Sequence, residues 1–192
     1  MTTTITGATG INRIQDGTID GSDFAAGVRG KYVLEDNSRF FYTTLTSTTA
    51  TSQQALNVSG SLYATITTGS STADLITFEQ DWGQCFFTTS NSYMGYGLQR
   101  SNSTDFSSPT TVWSTGEHGL GRVGATNNYE GKQSATNTRT AAEWGLSANT
   151  TYYFRLIGMT HSIAGTFYWG NPTSSSTNGT GVKLSVSKWR LL

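Results

Sequence analysis

The chain has 192 residues, with 12 Lys and Arg against 12 Asp and Glu, and its formal net charge is zero. A neutral chain without basic runs has no electrostatic basis for binding nucleic acid or an anionic membrane surface. No apolar stretch approaches the roughly 20 residues of a membrane helix, so membrane insertion is not expected. The single cysteine excludes an intrachain disulfide framework.

The residue types favour strands over helices. The chain contains 34 Thr and 23 Ser, together with nine Phe, nine Tyr and five Trp. Thr and aromatic residues are enriched in strands, whereas the strong helix formers are sparse here. The composition therefore predicts an all-β domain whose outer faces are covered by hydroxyl groups rather than by charges.

The first 30 residues differ from the rest of the chain. They contain two Asp-Gly turn signals and only isolated apolar residues, so they cannot close a core by themselves. We therefore divide the chain into an extended arm over residues 1–30 and a β domain over residues 31–192.

The β domain begins with two strand patterns, KYVL and RFFYTTLT, around a turn-like EDNS at 35–38. The alternation of ALNVSGSLYATITT, residues 55–68, then predicts a long half-buried strand with Ala64 and Ile66 on its apolar face. Further strands are predicted at 73–82, 93–100, 110–115, 151–158, 165–170 and 182–192. SNSTDFSSP, residues 101–109, is predicted as a loop. Residues 116–140 are rich in Gly, Asn and Thr and predict only a short strand near 121–125.

Eight to ten strands with frequent turn signals indicate a sandwich, a jelly roll or a closed barrel. GLGRVG at 119–124 matches G-x-G-x-x-G, but no helix pattern follows it, so it is interpreted as a glycine-rich loop. The only histidines, His118 and His161, have no metal-ligand spacing around them. No metal, cofactor or catalytic activity is expected.

Two alternative functions remain open from the residues themselves. Aromatic side chains stack on sugar rings, and Trp113, Trp169 and Tyr168 stand beside predicted loops, as a monomeric lectin or carbohydrate-binding module would require. A glycan hydrolase would instead need two carboxyl groups a few ångström apart. Its candidates are Glu79, Asp81, Glu117 and Glu143, of which the first two share one face of a predicted strand.

The arm also carries a resemblance. Its segment TGINRIQDGTI, residues 9–19, resembles a TG-[IV]-x-[RK]-[IV]-x-D pattern near the start of short virion proteins of tailed bacteriophages. The Thr/Ser-rich body, with TTYYFRLIG and a closing apolar strand, is similar in style to the C1q/TNF-like jelly-roll heads of phage fibre or decoration proteins. The docking residues under this resemblance are Ile11, Arg13, Ile14, Ile19 and Phe24.

The resemblance implies an antiparallel jelly-roll β-sandwich with an extended N-terminal arm, assembled as a homotrimer on the tail or capsid surface of a virion. The arm would dock onto other virion proteins, because a segment that cannot fold alone can become ordered against a partner. The body would project as a short tail fibre, a tail-associated protein or a capsid decoration protein. Its external partner would be a host-surface glycan.

Overall fold

A computed structural model describes residues 32–42, 46–48, 54–55, 62–87, 92–115, 122–123, 129–160, 167–169 and 181–191. These residues form strands, turns and loops, and none of them belongs to a helix that could cross a membrane. The strands, numbered in chain order, are β1 Tyr32–Tyr42, β2 Thr46–Thr48, β3 Gln54–Ala55, β4 Ala64–Thr67, β5 Leu75–Phe87, β6 Ser92–Ser101, β7 Thr110–Ser114, β8 Arg122–Val123, β9 Tyr129–Thr140, β10 Thr151–Thr160, β11 Phe167–Trp169 and β12 Val182–Leu191.

Two antiparallel sheets pack face to face. Sheet A has the strand order β1-β12-β5-β9, and β11 and then β2 continue beside the far end of β5. In sheet B the order is β4-β10-β6-β7, where β3 extends the β4 side and β8 extends the β7 side. Neighbouring strands come from distant parts of the chain, and successive strands change sheet repeatedly. This order is that of a jelly roll, and it confirms the predicted fold class.

The core lies between the sheets and follows the two-residue period of the strands. On β5, Ile76, Phe78, Gln80 and Trp82 are buried, whereas the alternate residues Thr77, Glu79 and Asp81 lie on the outer face. Phe78 is central, with its ring 5.0 Å from that of Trp144 and 4.9 Å from that of Phe154. These edge-to-face contacts join the two sheets through large apolar groups.

A hydrogen-bonded corner closes one end of the sandwich between β9 and β10. The Tyr152 hydroxyl accepts a hydrogen bond from the Ser147 backbone N–H at 2.9 Å. The Thr68 hydroxyl donates to the Ser147 carbonyl at 2.6 Å. Asn149 has a φ of 50°, a left-handed conformation that Asn tolerates better than most residues. The strand predicted at 151–158 begins directly after this corner, as β10 at Thr151.

Three strand predictions need correction. EDNS is not a turn: β1 runs through it with a register shift between Leu34 and Asp36, because the strand absorbs the extra residue as a bulge against β12. The stretch 129–140 is not a loop but strand β9, which pairs along most of β5. The sequence did not predict this strand because its polar Thr and Ser residues lack apolar alternation. They can nevertheless stabilise a strand through cross-strand pairs such as Thr77–Thr138, whose hydroxyls are 2.9 Å apart.

The third correction concerns the predicted strand at 55–68. Strand β4 covers only Ala64–Thr67, where Ala64 and Ile66 are buried as expected. Ala55 belongs instead to β3, which pairs with a different part of β10. Residues 56–61 of this prediction lie outside the described residues.

Candidate functional site

The predicted docking residues of the arm, Ile11, Arg13, Ile14, Ile19 and Phe24, lie outside the described residues, as does the predicted boundary at residue 30. The arm therefore stays a prediction. His118, His161 and Glu117 also lie outside the described part of the chain. Within that part, no three His, Cys, Asp or Glu side chains come together as metal ligands would.

The aromatic residues proposed for glycan binding occupy different environments. Trp169 is 1% exposed and belongs to the core, so its indole presents no open face to a sugar ring. Trp113 is half-buried, with its ring 5.8 Å from Trp82 and 5.9 Å from Tyr96. The backbone of Tyr168 pairs with Ser47 in β2, while its side chain lies outside the described residues. Trp113 and Trp169 thus contribute to packing at one end of the sandwich.

Of the described carboxylates of the hydrolase alternative, Glu79 and Asp81 lie near each other, and Glu143 lies in the turn after β9. Glu79 and Asp81 share the outer face of β5, as predicted, and Glu79 forms an exposed ion pair with Lys183 at 3.3 Å. Asp81 accepts a hydrogen bond from the Gly83 backbone N–H at 2.8 Å. Glu143 accepts hydrogen bonds from the backbone N–H and hydroxyl of Thr140. Those two bonds lower the pKa of the Glu143 carboxyl from its ordinary value. The Glu143 carboxylate therefore stabilises the turn that follows β9.

A cleft that the sequence did not indicate lies on the outer face of sheet B. We call it the Arg155 cleft; its volume is about 200 Å³, and its lining includes Leu62, Tyr63, Thr104, Asp105, Phe106 and Arg155. Drug-sized ligands occupy pockets of about 300–1,000 Å³. The smaller Arg155 cleft fits a group the size of a single sugar residue.

The loop between β6 and β7 forms one wall of the Arg155 cleft. The Ser107 backbone N–H donates to the Asp105 carboxylate at 2.9 Å, and the Phe106 backbone N–H donates to the Ser103 carbonyl at 3.2 Å. Hydrogen bonds from the Ser103 hydroxyl and from Ser107 lower the pKa of the Asp105 carboxyl from its ordinary value. The loop is therefore held by its own polar groups, and Asp105 is ionised at neutral pH.

Phe106 is held in a conformation that bulky residues rarely adopt. Its φ is 51°, and strain of this kind costs about 1–3 kcal/mol. The conformation places the phenyl ring 4.3 Å from the Arg155 guanidinium carbon and 6.4 Å from the Tyr63 ring. Tyr63 in turn meets Tyr153 edge to face at 5.0 Å. The ring of Phe106 is 8% exposed, so its burial against these groups offsets the strain.

Arg155 supplies the charge of the cleft. Its Nε and Nη2 donate to the Gln99 side-chain oxygen at 3.1 and 2.9 Å. Among the described residues, no carboxylate forms an ion pair with Arg155 and no acceptor binds its other three N–H groups. Burial lowers the pKa of the Arg155 guanidinium from its ordinary value, which leaves it charged at neutral pH. Within the described part of the chain, this half-buried cation has no ion-pair partner, although the ionised Asp105 lines the same cleft.

A second charged region, the Lys188 cluster, lies at one end of sheet A and consists of Glu35, Asp74, Lys188 and Arg190. Lys188 is 7% exposed, and its Nζ lies 3.1 Å from a Glu35 carboxylate oxygen and donates to the Thr67 carbonyl at 2.7 Å. Burial and, secondarily, the charge of Glu35 raise the pKa of the Asp74 carboxyl from its ordinary value. Cations and carboxylates balance here within the chain.

An apolar strip lies beside the Lys188 cluster. It consists of Tyr32, Val33 and Leu34 at the start of β1 and Leu191 at the end of β12, with exposed fractions of 37%, 38%, 53% and 41%. Tyr32 pairs with Leu191 and Leu34 with Trp189, so Tyr32, Leu34 and Leu191 share one face of the sheet, while alternation places Val33 on the other face at the same edge. Beyond it, no described strand pairs with the outer edge of β1. An open edge with apolar side chains favours contact with another chain.

One sequence signal could have indicated the Arg155 cleft. In TYYFRLIG, Arg155 interrupts an otherwise apolar strand pattern, and alternation places it on the face opposite Phe154 and Leu156. A charged residue in the middle of a central strand needs a polar partner or a cleft. The loop SNSTDFSSP, by contrast, gave no indication that Phe106 would cover this face.

No family model matches the chain, and no curated protein matches it. Among solved structures, Eiger TNF from S. frugiperda is similar over 84% of this chain and 94% of that chain, at 9% identity and a TM-score of 0.38. The VP2 subviral particle of infectious bursal disease virus is similar over 82% of this chain and 42% of that chain, at 10% identity and a TM-score of 0.37. At these values the likeness concerns the arrangement of strands alone.

Proposed function

We propose that the chain is a non-enzymatic surface protein of a bacteriophage virion, a short tail fibre or tail-associated protein or a capsid decoration protein. Residues 1–30 anchor it to other virion proteins, and the jelly roll projects from the particle. Three copies associate through the apolar strip. The arm pattern TGINRIQDGTI and the jelly-roll body support the virion setting, and the C1q/TNF-like resemblance supplies the number three.

The apolar strip is the observation that carries this proposal. A neutral domain with Thr- and Ser-covered faces has little reason to expose Leu34 at 53% and Leu191 at 41% unless another surface covers them. The strip directly follows the arm in the chain, because β1 begins at Tyr32. Anchoring and self-association would therefore be continuous along the chain.

A charge placed in the strip tests self-association. In Leu34→Asp the carboxylate would be buried in the trimer contact, so we expect light scattering to report single chains. Phe41→Asp is the matched control, because Phe41 lies on the same strand with the same exposed fraction of 53%, but at the opposite end. The control should keep the mass of the unaltered protein. Equal masses for both variants would contradict this role of the strip.

Deletion of residues 1–27 tests the anchoring. The truncated protein should keep its circular dichroism spectrum and its cooperative unfolding, because the core lies between sheets that begin at Tyr32. It should no longer bind to particles that lack this protein. Normal binding of the truncated protein to such particles would refute the anchoring role.

A free-standing carbohydrate-binding module is the second candidate, and the Arg155 cleft is the observation that favours it. Both candidates use the same site and differ in self-association. The glycan partner expected from the resemblance is compatible with either of them.

A further inference from the structure

We propose that the Arg155 cleft binds a saccharide that bears a carboxylate, such as a uronic acid residue of a polysaccharide. The inference names a ligand class and a site for the receptor role within the proposed function, and it rests on that function for its biological setting alone. Binding itself is a property of the cleft and can be measured on the isolated protein.

The uncompensated charge is the first argument. Removing a cation from water is costly unless an anion or several acceptors replace the water. Arg155 has one neutral acceptor, Gln99, for two of its five N–H groups. The remaining three N–H groups can form a forked pair with a carboxylate, the geometry in which guanidinium binds most strongly. Lys188, by contrast, forms an ion pair with the Glu35 carboxylate.

The orientation of Arg155 is the second argument. Both bonds to Gln99 Oε1 fix one edge of the guanidinium, and Phe106 lies against its face at 4.3 Å. A group fixed in this way loses little conformational entropy when a ligand binds. Phe106 reaches this position at the cost of a positive φ, and strained residues of this kind cluster at ligand sites.

The composition of the walls is the third argument, and it favours a sugar over a simple carboxylate. Tyr63 offers a half-buried ring beside the cation, suited to the C–H face of a sugar. Thr104 and the ionised Asp105 are exposed on the wall formed by the loop between β6 and β7, where they can bind sugar hydroxyls. The carboxylate of the ligand would lie at Arg155 and its hydroxyls at Asp105, because two carboxylates repel each other.

The test is a titration of the full chain, by calorimetry or by ligand-observed NMR, with four probes. These are sodium galacturonate, its linear trimer, neutral galactose and sodium acetate. We expect galacturonate to bind at least about tenfold more tightly than galactose, which lacks the charged contact, and about tenfold more tightly than acetate, which lacks the contacts to the sugar ring and its hydroxyls. Equal binding of galactose would refute the role of the carboxylate, and equal binding of acetate would refute the role of the sugar. If neither galacturonate nor its linear trimer binds, the proposal is overturned.

Variants then locate the site. Arg155→Gln should weaken galacturonate binding about tenfold or more, and Arg155→Lys should weaken it less, because it keeps the charge and loses the fork. Arg100→Gln is the matched control: Arg100 also lies over an aromatic ring, at 5.1 Å from Tyr152, but outside the cleft. It should bind galacturonate as the unaltered protein does. Equal losses in Arg155→Gln and Arg100→Gln would place the binding elsewhere.

Two readouts separate this inference from the proposed function. Light scattering of Arg155→Gln should give the mass of the unaltered protein, since the apolar strip is untouched. Thr104→Val, at an exposed position in the cleft wall, is a second variant in case Arg155→Gln does not fold. It should fold normally and weaken binding of the galacturonate trimer about twofold to tenfold, because one hydrogen bond is lost. If Thr104→Val keeps full affinity, the cleft is not the site. A trimeric protein that binds no uronate would refute the ligand and leave the virion role standing.

Discussion

The Lys188 cluster contains a buried cation and the Arg155 cleft a half-buried one, and the two cations have different surroundings. Lys188 meets the Glu35 carboxylate at 3.1 Å and the Thr67 carbonyl at 2.7 Å. Arg155 meets one neutral amide and an aromatic face, and no described carboxylate pairs with it. In the Lys188 cluster the buried cation has its partners within the chain, and the cluster therefore stabilises the fold. The other region leaves its cation without a described carboxylate, beside a cleft of about 200 Å³. A cleft of about 390 Å³ also borders the Lys188 cluster, so the surroundings of Lys188 and Arg155, and not the space, distinguish the two regions.

The largest effect should come from the loop that covers Arg155. In Phe106→Ala the burial of the ring is lost and the positive φ remains, so we expect the free energy of unfolding to fall by about 3 kcal/mol. Thr77→Ala, in an exposed hydroxyl pair on sheet A, is the control and should cost about 0.5 kcal/mol. Urea denaturation measures both. If Phe106→Ala costs no more than the control, Phe106 does not hold the cleft.

The two cations should respond differently to the same substitution. Lys188→Met leaves the Glu35 carboxylate and the Thr67 carbonyl without their donor, and we expect it to cost about 2 kcal/mol. Arg155→Met loses the contact with Phe106 and leaves the Gln99 side-chain oxygen without its donors, but it also removes a half-buried charge that no described carboxylate pairs with, so we expect a net change of about 1 kcal/mol. Urea denaturation at low and moderate salt would measure both. A larger loss in Arg155→Met than in Lys188→Met would reverse our distinction between the two regions.

The exposed carboxylates of sheet A should matter least for stability. Glu79→Gln removes one ion pair between exposed groups, and we expect a change of about 0.5 kcal/mol or less. The same variant examines the hydrolase alternative when it is assayed with Asp81→Asn on a panel of polysaccharides. We expect no cleavage by the unaltered protein. Cleavage that both variants abolish would contradict a non-enzymatic function.

The two regions should also differ in the sign of their pH dependence. The pKa of Asp105 is lowered in the folded protein, so its contribution is present above the unfolded value of about 3.9 and is lost as the pH falls through the folded value. The pKa of Asp74 is raised, so the folded state binds the proton more tightly. Stability therefore falls as the pH rises from the unfolded value of about 3.9 through the higher folded value. Asp105→Asn should therefore destabilise the protein at pH 7, whereas Asp74→Asn should stabilise it.

Denaturation midpoints from pH 7 to pH 3 measure these differences. Both variants should approach the unaltered protein as the pH falls, because protonation makes the carboxyl groups resemble the amides. Shifts of the same sign for both variants at pH 7 would show that the two carboxylates do not lie in opposite environments.

The sequence predicted the fold better than the site. The sequence pattern predicted a strand at 182–192, and in β12 Val182, Leu184 and Val186 are all buried. It failed for β9, whose Thr and Ser residues satisfy one another across the strands instead of covering a core. The cleft could not be predicted because it depends on a loop folding over a distant strand: Phe106 and Arg155 are 49 positions apart, and Phe106 has a positive φ where it meets Arg155. Of the two tryptophans predicted to stack on sugars, Trp169 belongs to the core and Trp113 packs against it.

The molar mass of the full chain in solution, measured by light scattering over a range of concentrations, tests the proposed function most directly. We predict three times the mass of one chain, held by the apolar strip of Tyr32, Val33, Leu34 and Leu191. A mass of one chain at every concentration would contradict the trimeric virion protein, and the free-standing carbohydrate-binding module would replace it.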